Sequence, residues 1–254
     1  VSSDKKTNDG RWWEFYFVRY FVGTVVGAAI VLYLNASETS SLRNLIIPGV
    51  SDVSQLDAQR LSLLAALGLA YCYISSAPIL VLHAARGVFL AKETTAFSWF
   101  FYGSLALVGA MAFGFYSYQA VPNTTAILSV VLLAIVLCIQ LVPLGFSIHK
   151  EGERTHSYYA RLTKARSQDT EETRQYVESY KHLREHGNAF FILLFELALG
   201  VILATVSKAN IAFIALLLWI IPATLVWLVG TVLEYRFANE PPKPQPINPP
   251  DAAQ

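Results

Sequence analysis

The sequence predicts an all-α fold, a polytopic membrane bundle of six transmembrane helices, and three observations carry that expectation. Six long apolar runs, residues 17–34, 61–82, 96–118, 125–148, 189–207 and 211–233, fill most of the 254-residue chain. Each approaches or exceeds the ~20 apolar residues that cover a ~30 Å hydrocarbon core at ~1.5 Å per residue. The composition agrees: 54% of residues are apolar and only 15% charged, so no conventional soluble domain fits between the runs. The basic residues are also segregated. With a cytoplasmic N-terminus, every one of the 19 Lys and Arg residues except Arg43, Arg60 and Lys208 falls on the inner side. That bias predicts both termini in the cytoplasm, in an inner or plasma membrane. Barrel strands are not expected, because their alternating pattern is absent and an unpaired amide in lipid costs several kcal/mol.

The elements follow in order. A polar segment bearing Trp12, Trp13, Phe15 and Tyr16 precedes span one, and no small-residue cleavage pattern follows Leu34. The span is therefore expected to remain as an anchor rather than be removed as a signal peptide. Within it, Gly23 and Gly27 make a small-xxx-small face suited to close helix packing, inside the chain or across a homo-oligomer. In the outer loop 35–60, Leu45-Ile46-Ile47 forms an apolar patch expected at the headgroup boundary, and Pro48-Gly49 closes it as a turn. Ser54-Gln55-Leu56-Asp57 reads as the capped start of span two. Asn35-Ala36-Ser37 and Asn123-Thr124-Thr125 match the glycosylation acceptor pattern, which matters in a eukaryotic source. Tight turns at Val121-Pro122-Asn123 and Lys208-Ala209-Asn210 predict antiparallel hairpins. Cys72 and Cys138 both fall inside spans and read as small apolar packing residues. Residues 1–240 make one membrane domain. The segment 241–254 holds six of the 11 prolines and is expected to be extended or disordered.

Residues 149–188, between spans four and five, form the most distinctive polar segment. Tyr158, Tyr159, Leu162 and Ala165 recur at helical spacing, as do Tyr176, Val177, Tyr180 and Leu183, with a break at Ser167-Gln168-Asp169. Asp169 and Glu172 resemble a capping box at the restart. The pattern predicts a cytoplasmic helical hairpin. Each arm carries a Tyr/Leu stripe too apolar for a purely solvated face, which makes Tyr159, Leu162, Tyr176, Tyr180 and Leu183 candidates for docking a partner. The plainer reading is a charged hairpin whose two stripes meet each other. His182-Leu183-Arg184-Glu185-His186 spells H-x-x-E-H, two histidines on one helix face beside a glutamate. Downstream, however, the carboxylates are only Glu196, Glu234, Glu240 and Asp251, and Glu196 lies ten residues on inside a span. No metal or cofactor is expected, and His182 and His186 read as juxtamembrane polar residues near lipid headgroups.

Inside the spans, polar groups are few. Glu196 is the one acid deep in a run, eight residues after Asn188; Gln140 lies eight residues before Ile148. Both offsets correspond to ~12 Å of depth. Ser75, Ser76 and Thr224 fall at a similar depth, and Pro78, Pro143 and Pro222 lie within a turn of it. The expectation is an intramembrane polar layer with Glu196 facing the bundle interior near Gln140. It serves either as a register-fixing hydrogen-bond network around a protonated Glu196 or as a proton-relay or conduction site.

No Ser/His/Asp arrangement, phosphate-cradling loop or nucleic-acid patch is present, so neither an enzyme nor a nucleic-acid binder is expected. The function expected is that of a sensor, anchor or scaffold subunit whose cytoplasmic hairpin meets a protein partner, with a host-defence or envelope-stress system a fitting setting. The alternative is an oligomeric channel using the layer around Glu196.

Overall fold

The computed structural model describes residues 12–89, 99–118, 124–148 and 171–239. All regular structure in them is helical: α1 Trp12–Ala36, a 3-10 turn Val53–Gln55, α2 Ala58–Ser75, α3 Ala77–Phe89, α4 Trp99–Tyr118, α5 Thr124–Ile148, α6 Glu171–Thr205 and α7 Ala209–Asn239. Three stretches are long and apolar enough to cross a membrane: Ala58–Ala84, Gly187–Thr205 and Ala209–Val229. Shorter apolar stretches occur at Tyr20–Ala36, Tyr102–Ser117 and Ala126–Val142. The outer surface of the described residues carries many large apolar side chains, with Phe21, Phe113, Phe190, Phe213 and Trp227 all more than half exposed. Such a surface suits lipid and would associate in water.

The second apolar run forms two helices. Pro78 has no N–H to offer the Ile74 carbonyl, and the helix breaks at Ser76. There the Ser76 N–H donates to the Cys72 carbonyl at 3.1 Å, and Ile79 N–H to the Ser76 carbonyl at 2.9 Å. A similar proline in α7, Pro222, stays within a continuous helix.

Helix α6 lies at the centre, touching α1, α2, α3, α5 and α7, whereas α4 packs chiefly on α5. Helix directions follow from which residues face one another. Gly23 of α1 lies against Ile192 and Glu196 of α6, and Ile30 lies against Gly200, so α1 and α6 run parallel. Cys72 faces Gly23 and Gly68 faces Gly27, so α2 runs against both. Trp219 meets Ser75 and Gln140, while Ala223 and Val226 pack on Val81 with Leu144 beside them. Helices α3, α5 and α7 therefore share the direction of α2.

The loop after α1 is folded around one side chain. Asn35 is fully buried; its amide nitrogen donates to the carbonyls of Ile47 (3.0 Å) and Val50 (2.7 Å), and its oxygen accepts from the N–H groups of Ile46 (3.1 Å) and Ile47 (2.9 Å). Every hydrogen-bonding position of that amide is filled. The match of Asn35 to a glycosylation acceptor is thereby overturned, since the nitrogen a glycan would need is enclosed. Asn123 lies outside the described residues. The Leu45-Ile46-Ile47 patch is also corrected in part: Leu45 is exposed, but Ile47 turns inward and joins Leu34, Leu42 and Val50 in the core. Gly49, at φ 75°, supplies the backbone that the Pro48-Gly49 turn needs. Asp57 then caps α2 through the Arg60 N–H at 2.8 Å. Asp52 caps the preceding 3-10 turn, and the Ser54 N–H holds its carboxyl below the usual carboxylate range.

Candidate functional site

Helices α1 and α2 meet through glycine. A Cβ built on Gly27 would stand 2.5 Å from the Gly68 carbonyl oxygen, and one built on Gly68 would stand 2.7 Å from the Ala28 nitrogen and collide with the Thr24 carbonyl. Gly23, one turn from Gly27, leaves space that the Cys72 sulfur and the Glu196 carboxyl share; a Cβ there would be 3.2 Å from Glu196 Oε1. The predicted close-packing face of Gly23 and Gly27 thus lies in the α1–α2 seam within the chain.

Glu196 is fully buried beside that seam, and neither of its carboxyl oxygens has a hydrogen-bond partner among the described residues. Its backbone is read instead: the Tyr71 hydroxyl donates to the Glu196 carbonyl at 2.8 Å. Gly200, one turn along α6, allows this approach, because a Cβ there would come within 3.3 Å of the Tyr71 hydroxyl and 3.0 Å of Ile30.

The expected Glu196–Gln140 pair does not form. Gln140 is fully buried at a neighbouring level, but its amide nitrogen turns to α7 and makes a long contact of 3.4 Å with the Trp219 carbonyl. Its Oε1 has no partner among the described residues. Equal depth brings two side chains to one level, but rotation about each helix axis decides whether they meet.

Trp219 organises this second level. Its indole N–H donates to the Ser75 carbonyl at 3.1 Å, where the α2–α3 break weakens the ordinary helical pairing. Its ring packs edge-on against Phe195, centroids 6.0 Å apart at 86°. Ser75 is buried and its hydroxyl returns to the Cys72 carbonyl at 3.0 Å. Ser76 is only partly covered and bonds to Tyr73 at 3.0 Å; Thr224 is exposed and bonds back to Ile220 at 3.2 Å. Of the five residues expected in the polar layer, Glu196, Gln140 and Ser75 are enclosed, Ser76 lies at the break, and Thr224 points outward.

Sequence reasoning missed Trp219 and Tyr71. A signal for Trp219 was available: it sits mid-span, three residues before Pro222, away from the interfaces where membrane Trp residues gather. A buried indole N–H needs an acceptor, and a helix break supplies one. Tyr71 carried no such mark.

Among the described residues, no three His, Cys, Asp or Glu side chains come together as a metal site. Tyr159 and Leu162 lie outside the described residues, and the side chains of Tyr176, Tyr180, Leu183, His182 and His186 likewise, although α6 carries the last five on a continuous helix. No protein family, curated protein or solved structure matches this chain.

Proposed function

We propose that the protein is a six-span inner- or plasma-membrane scaffold or sensor subunit, with both termini and a hairpin over residues 149–188 in the cytoplasm. The observation that carries this reading is the continuity of α6. Its 35 residues span ~52 Å at ~1.5 Å per residue, against a ~30 Å hydrocarbon core. About half of the helix therefore stands beyond the apolar layer, bearing Tyr176, Tyr180 and Leu183. The helix directions support the threading, since α1 and α6 run one way while α2, α3, α5 and α7 run the other, as alternating spans require.

The competing channel reading draws on the same bundle and gains less support. A permeation site must be wetted from at least one side, yet Glu196 and Gln140 are both fully enclosed. Glycine-mediated contact of α1 and α2 fills the space beside the carboxyl.

Changing both Tyr176 and Tyr180 to Ser is expected to weaken capture of the cytoplasmic partner from detergent extract by roughly tenfold or more, the scale of an interface hot spot. The thermal midpoint of the purified protein should be unchanged. A collapse of the midpoint would instead make the stripe a seam between the hairpin arms. Proton or ion flux in reconstituted liposomes, abolished by Glu196→Gln, would favour the channel.

A further inference from the structure

We propose that Glu196 is a proton-operated latch on the α1–α2–α6 seam. Protonated, it lets the three helices close; when its proton passes to water, water enters beside Gly23 and Cys72 and α6 is released. The idea rests on the sensor reading above and deepens it, naming the proton as the signal and α6 as its carrier.

Among the described side chains, the surroundings of the carboxyl supply no cation and, as a donor not committed elsewhere, only the weak Cys72 thiol. From α1 comes Gly23, with Tyr20 a turn away stacked on Tyr73. From α2 come the Cys72 thiol and Tyr71, whose hydroxyl is already committed to the Glu196 carbonyl. Helix α3 has His83, eight residues past Ser75. Helix α5 offers Gln140, turned toward α7, and Cys138; α7 offers Trp219, whose N–H is committed to Ser75. The other charged side chains described are Glu38, Arg43, Asp52, Asp57 and Arg60, all between α1 and the first turn of α2, and Lys208 in the α6–α7 turn. An enclosed carboxylate with a single weak thiol donor and no described counter-charge is unfavourable, so the closed seam accommodates the neutral form and the ionised form calls for water.

The contacts at Gly27–Gly68 and Gly23–Cys72 leave no room for a side chain between the helices, so water that enters at Gly23 has to part them. Glu196 sits on the same unbroken helix as Tyr180, ~24 Å away at ~1.5 Å per residue. A shift of α6 at the seam therefore moves the candidate docking arm as one body.

The test uses Cys72 as a native reporter. In the full-length Cys138→Ala protein in lipid nanodiscs, Cys72 is the sole thiol. Its reaction with a small uncharged maleimide is followed at about pH 5.5 and about pH 8.5, with and without Glu196→Gln; the Gln variant corrects for the thiol's intrinsic titration, and an ionised Glu196, which disfavours the neighbouring thiolate, works against the rise expected. The latch predicts that the ratio of the Glu196 protein to the Gln variant rises roughly tenfold or more across that interval. An unchanged ratio overturns it. Should the Gln variant fail to fold, the thermal midpoint of the Glu196 protein decides. A carboxyl neutral in the closed bundle and ionised in the open chain stabilises fully at low pH, and this is lost as pH rises. A falling midpoint supports the latch, and a flat or rising one overturns it. These readouts need no partner, so their failure leaves the docking test at Tyr176 and Tyr180 standing, and failure of that test leaves these intact.

Discussion

Gly68→Ala is expected to destabilise the protein by about 3 kcal/mol, the upper end of the usual cost of overpacking a core. The reason lies in what the added methyl meets. Its neighbours would be the Thr24 carbonyl, the Ala28 nitrogen at 2.7 Å and the Ala28 Cβ at 2.8 Å, so backbone rather than a flexible side-chain end must yield. Helix α1 would have to retreat from α2 along the whole seam, loosening Gly23 and Glu196 with it. For a chain of this size the thermal midpoint should fall by about 6–12 °C. Gly109→Ala is the matching control, because a methyl there meets nothing within 4 Å. It should stay within about 0.5 kcal/mol of the parent. Equal midpoints for the two variants would mean that α1 and α2 do not meet through Gly68.

The second large effect is expected at Trp219. Truncation to Ala removes the largest fully buried side chain among the described residues, and such losses cost about 3–5 kcal/mol. Trp219→Phe separates two contributions. It keeps a ring against Phe195 but removes the N–H that serves the Ser75 carbonyl, a bond whose net worth is about 1 kcal/mol. The expected order of thermal midpoints is therefore parent, then Phe, then Ala well below. If Phe falls as far as Ala, the indole bond dominates; if Phe matches the parent, the bond between α7 and the α2–α3 break contributes nothing.

These residues also mark what a sequence reveals. Run length and apolarity made the helices legible, because a bilayer demands long internally bonded segments whatever their order. Depth was legible too: counting from the polar ends placed Glu196 and Gln140 close in level. Rotation was not, since spans that are apolar all round carry no stripe to say which face turns inward. Gln140 therefore went to Trp219 and Thr224 to the surface, although both had the right offset. Asn35 shows a different failure. Its three-residue pattern describes chemistry an exposed asparagine could undergo, whereas its four hydrogen bonds arise from a loop that closes 15 residues later at Val50. Gly23 and Gly27 were readable as a close-packing pair because their spacing is local; their partners Gly68 and Cys72 came only with the fold.

In the proposed membrane threading, α1 and α6 cross one way and α2, α3, α5 and α7 the other. Single cysteines placed at Ser37, Asn210 and Tyr180 test it with a membrane-impermeant maleimide on intact cells, measured above the native background. Labelling at Ser37 and Asn210 before permeabilisation, with Tyr180 labelled only afterwards, is the result expected. Labelling of Ser37 and Asn210 on opposite sides, or of Tyr180 from outside, would contradict it.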